Sequence, residues 1–500
     1  MRNRRIPFLI GGVCGIVALF RIVLSFLHEG FSYPAYFLLR QSASVAGSAA
    51  PFFFDPLSYG GRWLAFNPLY AYLIGGPGAL FGVEEVMRIL PNLIAATVPL
   101  MAYLISMHLI KDRRIGVLVA LFSGFIPIQS AVMHNSAHAF SFVLPLSLLT
   151  TYLLLRQKYA ACFWVALAFI VFHPGSWLWI LGFGFYLLFS WLEHIKTPQV
   201  QKELFLTLLL AAALWHIIIF KNALTQHGVG IIWQNVPLSI RAALFVDFNL
   251  FSVLSFVGIV PLVGAAWAIY HQFYRSRDTR SLFLVAQIVA GFVLLWLTVV
   301  RYEEGLMYFS LWLVMLLPVF FGRFFAYLER TKFRATTSLM WVGVLTLFFL
   351  TAVLPSVFFS LENPGPDEDY LQMLSFLQMH TPADATIIDA PSRGQLITAK
   401  TGRKTFMDTE FMLAPNPDTR LRDLERFYTS SISTQALEVL ADYQITSSYV
   451  VYDSNSQEKY WDSTARFAQD TRCFVPIYAQ EGLVVYQVMC RLVPAGGDEE

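Results

Sequence analysis

Runs of about 18 or more apolar residues recur along the first 359 positions of this 500-residue chain. Runs of that length, one after another, have no soluble fold open to them. They satisfy their backbone groups as helices inside a bilayer. Hydrophobic residues make up 56% of the chain and charged residues 14%, against about 25% charge in ordinary soluble domains. The expected fold class is a polytopic α-helical membrane protein. Eleven helices are placed at roughly 7–27, 86–110, 115–132, 138–155, 159–172, 176–192, 203–220, 248–270, 281–300, 305–325 and 336–359. The apolar segment 68–81 is short and broken by Gly75, Gly76, Pro77 and Gly78. It is read as part of a large first external loop, 28–85, lying on or dipping into the membrane. The N-terminal MRNRR and the run after it lack a small-x-small cleavage site, so they are read as a retained first helix.

Charge orients the bundle. Residues 1–359 carry 24 Lys and Arg against 12 Asp and Glu, and residues 360–500 carry 11 against 21. The segments 1–6, 111–114, 156–158, 193–202, 271–280 and 323–334 hold 17 Lys and Arg between them. The other side holds Arg40, Arg62, Arg88, Lys221, Arg241 and Arg301. The positive-inside pattern puts the N-terminus in the cytoplasm and, with an odd number of helices, the tail outside. A multi-pass protein of the cell membrane is expected. Counting 68–81 as a span would invert the later loops and break the pattern. The same topology turns Glu29, Asp55, Glu84, Glu85, Asp247, Glu303 and Glu304 outward, while Asp112, Glu193, Glu203, Asp278 and Glu329 sit in basic inner loops.

The tail, 360–500, begins after the turn-like ENPGPDED. Helical periodicity over 367–380 and 433–443, strand patterns at 385–389, 404–408 and 448–452, and two strands at 474–478 and 483–488 flanking AQEG predict a small external α/β domain. Cys14 and Cys162 lie in apolar helices as packing residues. Cys473 and Cys490 are spaced for the two arms of the hairpin, where a disulfide would suit an oxidising compartment. No Cys/His spacing marks a zinc site.

Candidate chemistry gathers at the outer surface. Glu29 follows His28 just past the end of the first helix. It is read as a general base or as an interfacial carboxylate marking the helix end. Asp55 heads DPLSYGGR, where Asp-Pro starts a turn and Arg62 can pair with a carboxylate or a phosphate. The plainer reading is a surface turn held by an Asp55–Arg62 pair. Tyr36, Arg40, Tyr59, Trp63 and Phe66 line or anchor the same loop. His134 and His138 are four apart and would share a face if helical. With Asn135 they offer ligands to an ion or contacts to a phosphate, but no carboxylate accompanies them for a hard cation. His173, in FHPGSW, marks an external break between helices. Arg301 opens RYEEG at an outer helix end, placed for a phosphate or for partnership with Glu303 or Glu304.

The pattern AYFLLRQ…DPLSYGGR…NPLYAYL resembles the first external loop of prokaryotic relatives of the oligosaccharyltransferase catalytic subunit, within the GT-C class of membrane glycosyltransferases. In the tail, DAPSRGQLITAKTGRKTFMD is similar to the segment of those enzymes that starts with Trp-Trp-Asp-Tyr-Gly. Gly394, Ile397, Arg403 and Asp408 fall at corresponding places. Ala390, Pro391 and Ser392 stand where that acceptor-reading segment would lie, and the second external loop lacks the family's paired acids.

The resemblance implies a GT-C-like glycosyltransferase using a sugar on a polyprenyl phosphate, with a glycan, lipid or protein acceptor at the outer face and inversion at the anomeric carbon. Glu29, or failing that Asp55, would activate the acceptor. Arg301 and Arg62 would meet the leaving phosphate, and His28, Tyr36, Arg40, Tyr59, His134 and His138 would line the site. No metal ligands are assigned, although a divalent Mg or Mn ion is compatible with the chemistry, and nucleic acid is not among the expected partners. The alternatives are sequon-directed transfer to asparagine and a transporter of lipid-linked solutes. Transporters are often built from two similar halves, and no such internal repeat is seen.

Overall fold

A computed structural model describes residues 5–246, 249–275, 278–331, 337–362, 365–453, 466–480 and 482–492. Asp247 and the turn residue Glu481 lie outside the described residues. The chain divides into two units: Met1–His28, Asn67–Lys221 and Ala242–Pro364 form the first, and Glu29–Phe66, Asn222–Arg241 and Gly365–Glu500 the second. The stretch 29–66 after the first helix therefore folds with the tail.

The first unit is a helical bundle and makes the chain a multi-pass membrane protein. Among the described residues, seven helices are long and apolar enough to cross a membrane: Leu9–Leu27, Val83–Leu109, Arg113–Met133, Gln199–Ile219, Thr279–Trp296, Tyr302–Arg330 and Ser338–Glu362. The bent pair Leu238–Phe245 and Leu250–Val257 raises this to eight if it counts as one span. Three further helices lie where the sequence placed them but are shorter than the seven long spans: Phe140–Leu155, Tyr159–Phe172 and Ser176–Leu192. The stretch read as 248–270 is broken at Gly258 (φ 86°), which separates Leu250–Val257 from Ile259–Tyr274. Leu69–Phe81 is a 13-residue helix, about 20 Å long at 1.5 Å per residue and short of the roughly 30 Å hydrocarbon core.

Near the end of the first helix, buried polar side chains pair with one another and with carbonyls, as the absence of water in a bilayer favours. Arg21 donates Nε to Asn92 Oδ1 at 3.2 Å. Asn92 in turn donates Nδ2 to the carbonyls of Arg88 (2.8 Å) and His134 (3.1 Å). Arg88 donates to the carbonyls of Ser25 and His28, closing the C-terminal end of Arg5–Leu27.

The second unit is an α/β domain. Its strands are β1 (Phe54–Asp55), β2 (Arg62–Trp63), β3 (Thr386–Ile388), β4 (Lys404–Thr405), β5 (Ser448–Asp453), β6 (Phe474–Gln480) and β7 (Leu483–Val488). The last five form one sheet in the order β4-β3-β5-β7-β6. Strands β4, β3 and β5 run parallel, while β6 and β7 form the antiparallel hairpin expected from the sequence. The helices Glu368–His380 and Ser433–Asp442 lie where periodicity placed them. Gly394–Thr401 and Pro417–Thr429 are additional helices. Cys473 and Cys490 are joined by a disulfide.

Candidate active site

In the second unit the loop sequence DPLSYGGR closes a two-stranded hairpin whose register sets Asp55 opposite Arg62. Asp55 Oδ1 accepts the Leu57 N–H at 3.0 Å, the local turn that Asp-Pro favours. Tyr59, Gly60 and Gly61 all adopt positive φ (56°, 79° and 107°), the backbone that the glycine pair makes accessible. Strand pairing does not decide the side-chain partners, however. Asp55 is buried and takes both terminal nitrogens of Arg40, each at 2.8 Å. Arg62 is buried against Asp408, with Nη2 at 2.7 and 2.9 Å from its two carboxylate oxygens. The Asp55–Arg62 pair considered for this turn is thus replaced by two separate ion pairs.

Gln395 joins those pairs. Its Oε1 accepts from Arg40 Nη1 at 3.0 Å, and its Nε2 donates to Asp408 Oδ2 at 2.6 Å. Ser58 Oγ (2.5 Å) and the Glu410 N–H (2.8 Å) also donate to Asp408. Burial alone would raise the Asp55 carboxyl, but the Arg40 guanidinium outweighs it and holds the group below its usual range. A neighbouring Arg420 donates Nη1 to the Tyr59 carbonyl at 2.9 Å and lies over the rings of Tyr443, Phe406 and Tyr59 at 4.5, 4.6 and 5.3 Å. This network fastens the loop to the tail. The Thr405 N–H donates to the Leu57 carbonyl at 2.7 Å, and Ser58 bridges to Thr405.

The residues with tail counterparts in the resemblance take up this interior. A Cβ on Gly394 would lie 2.3 Å from the Met407 carbonyl oxygen and 2.9 Å from the Asp408 Cα, so only glycine allows that approach. Arg403 donates to the carbonyls of Gln378, Thr381 and Thr401, closing two helix ends. At the carboxyl end of β3, Asp389 accepts from Tyr370 Oη and lies 3.7 Å from Arg393, which also bonds Asp453 at 2.7 Å. Burial pushes the Asp389 carboxyl up, with Arg393 opposing it.

The first unit carries a separate polar cluster on its inter-helix loops. His134 and His138 do not share a helical face, because Pro127–Met133 ends at His134 and the next helix starts at Phe140. His134 is buried and its ring faces that of His28 at 5.6 Å. His138 Nδ1 accepts the Phe140 N–H at 3.2 Å, which leaves the imidazole proton on Nε2. That nitrogen lies 3.8 Å from Glu304. His173 Nδ1 accepts the Gly175 N–H at 2.9 Å in the same manner. Burial, reinforced by Arg301, pushes His138 down to about 4. Burial and the neighbouring His138 push His173 down to about 3. At neutral pH both imidazoles are uncharged Nε2–H donors, and the fixed positive charge beside His138 is that of Arg301, at the start of Tyr302–Arg330.

Glu29 is exposed and opens the second unit directly after His28. Gly30 is packed against Pro366, with a Cβ there only 2.7 Å from the proline ring. Tyr36 is buried, and the Lys400 ammonium lies 6.0 Å from its ring centroid. Among the described residues no group of three or more His, Cys, Asp or Glu is arranged to hold a metal ion. Sequence reasoning missed Ser58, Gln395 and Arg420 as partners of the loop. Polar side chains of this kind carry no spacing signal when their partners lie hundreds of positions away.

Comparison with solved structures places the fold. The Archaeoglobus fulgidus oligosaccharyltransferase, crystallised with zinc and sulfate, superposes with a TM-score of 0.63 at 16% identity, over 95% of this chain and 72% of that one. ArnT from Cupriavidus metallidurans, bound to undecaprenyl phosphate, gives 0.55 at 13% identity, over 96% and 97%. The mycobacterial arabinofuranosyltransferase AftD gives 0.55 at 14% identity, over 96% of this chain and 41% of that one. No known family profile matches the sequence. No curated protein matches it either. The chain shares the fold of these solved structures: a bundle of apolar helices followed by a C-terminal region with a sheet.

Proposed function

We propose that the protein is a membrane glycosyltransferase that moves a sugar from a polyprenyl-phosphate carrier to an acceptor at the outer face of the membrane. The observation that carries this reading is the GT-C fold, matched over nearly the whole chain to a transferase holding undecaprenyl phosphate. The disulfide between Cys473 and Cys490 supports an extracytoplasmic second unit.

Glycosyl transfer from a lipid phosphate needs a carboxylate to take the acceptor proton and positive charge for the departing phosphate. Glu29 is assigned the base, since it is an exposed carboxylate just past the end of the first helix. Arg301 is assigned the donor phosphate, with the uncharged His138 as an added donor. Asp55 and Arg62 are given a supporting role, because both are buried and their charges are matched by Arg40 and Asp408. The second unit is assigned acceptor selection. Asparagine as acceptor is the narrower alternative, and Ala390, Pro391 and Ser392 in place of the acceptor-reading segment weigh against it.

The test uses the purified full chain, a radiolabelled pool of polyprenyl-phosphate sugars and a membrane extract as acceptor source. Covalent transfer of label supports the reading. Movement of the lipid-linked sugar across a vesicle bilayer with no transfer points to the transporter class instead.

A further inference from the structure

A second polar recess lies at the other end of the membrane unit. His138 precedes the 16-residue helix Phe140–Leu155 and Arg156 follows it, so about 24 Å of helix separates the two ends. At the Arg156 end a cavity of about 370 Å³ is lined by His108, Arg156, Gln157, Tyr186, Gln201 and Arg280, with Leu154, Leu155 and Phe283 as an apolar wall. It is built where Val98–Leu109 and Phe140–Leu155 end and where Gln199–Ile219 and Thr279–Trp296 begin.

The polar lining is one-sided in charge. Among the described residues that line the cavity, none is acidic. Asp278, next to the lining residue Thr279, is occupied in capping its own helix, accepting from the Ser281 N–H and Oγ at 3.2 Å each. Arg280 is held in place by donating Nη1 to the His108 carbonyl at 3.1 Å. Tyr186 and Gln201 are buried deeper in the wall, joined by a 3.3 Å hydrogen bond. His108 Nε2 is buried and makes no hydrogen bond. Two guanidinium groups, a buried imidazole nitrogen without a partner and neutral donors around one recess are the combination that binds a tetrahedral oxyanion.

We propose that this recess is a phosphate-binding site, separate from the outer cluster around Arg301 and held by Arg156 and Arg280. The phosphate belongs either to the head group of an anionic lipid in the adjoining leaflet or to a soluble phosphate ester. The chemistry is common to both, and the apolar wall accommodates a glycerol backbone in the first case.

The experiment uses the full chain in nanodiscs. In one arm, inorganic phosphate is titrated in phosphatidylcholine discs while thermal unfolding is followed. In the other, native mass spectrometry counts phosphatidylglycerol and phosphatidylcholine retained from an equal mixture. The double variant Arg156→Gln/Arg280→Gln is compared with Arg113→Gln/Arg114→Gln, which removes two arginines at the start of the helix Arg113–Met133, outside the recess. Saturable phosphate binding or preferential retention of phosphatidylglycerol is expected, reduced about tenfold or more by the first variant and unchanged by the second. Saturation by free phosphate identifies a soluble ligand, and retention of phosphatidylglycerol alone identifies a lipid. No saturable binding of either probe, or an equal loss in the two variants, overturns the proposal. If the double variant does not fold, Arg156→Gln alone serves, since Arg156 is exposed. Binding by that variant equal to the parent's also overturns it.

Discussion

Arg62 and Asp408 meet across 346 residues of sequence, with Nη2 of one at 2.7 and 2.9 Å from the two carboxylate oxygens of the other and both side chains buried. The pair lies within one folded unit, so the loop 29–66 and the tail fold together despite the apolar helices between them in sequence. A buried charge left without its partner is costly, whereas an apolar replacement of both is much less so. Asp408→Ala should therefore destabilise the second unit by about 3–5 kcal/mol. Arg62→Met/Asp408→Leu should recover much of that loss. Thermal unfolding of the three proteins, with limited proteolysis across residues 50–66, measures both.

Asp55 gives the acid response of the same domain its sign. Its carboxyl lies below the ordinary value in the folded chain, since Arg40 outweighs the effect of burial. The pair therefore contributes fully above the unfolded value of about 3.9 and is lost as pH falls through the lower folded value. Asp55→Asn should be less stable than the parent at neutral pH, and the gap should narrow in acid below about pH 4. A constant gap from pH 7 to pH 3 would mean that the carboxylate charge is not what holds Arg40.

Gly394 is the tightest backbone approach in the domain, with the Met407 carbonyl 2.3 Å from where a Cβ would stand. Gly394→Ala must push apart the helix Gly394–Thr401 and the segment after β4, at a cost of about 1–3 kcal/mol. Loss of the Gln395–Asp408 hydrogen bond should follow. Differential scanning fluorimetry reads the destabilisation, and hydrogen exchange at residues 405–410 reads the local opening.

The disulfide joins Cys473, just before β6, to Cys490, just after β7, across a separation of 17 residues. Cys473→Ser/Cys490→Ser should lower the stability of the second unit by about 2–4 kcal/mol. Labelling of thiols in unfolded, unreduced protein should find two reactive cysteines, Cys14 and Cys162, and four after reduction.

Much of the fold was legible because two of its signals are local. Apolar runs long enough for a bilayer mark helices without reference to any partner, and each of the eleven stretches placed from sequence contains a helix. The tail hairpin was legible from alternation and its turn. The pairing of the loop was not. Asp55 and Arg62 lie seven positions apart in a turn sequence, which made them natural partners. Arg40, in the helix Ala35–Ser48, and Asp408, in the segment after β4, outcompete that pairing because the fold brings them to the hairpin. The segment read as too short and broken to span is a 13-residue helix, Leu69–Phe81, which buries one side through Tyr70, Ala71 and Ile74 and leaves Leu80 and Phe81 exposed. His138 and His173 were legible as residues between helices. Their uncharged state depends on packing that no spacing encodes.

The assignment of Glu29 as base and Arg301 as phosphate contact is the centre of the functional account. It is tested most directly by label transfer from a polyprenyl-phosphate sugar with the parent, Glu29→Gln, Arg301→Gln and Asp55→Asn, each checked for folding by thermal unfolding. Loss of transfer by about 10²–10⁴-fold in Glu29→Gln is expected, with carrier binding retained. Arg301→Gln should weaken carrier binding itself. A folded Glu29→Gln protein that transfers as fast as the parent, with the loss appearing in folded Asp55→Asn instead, would contradict the account.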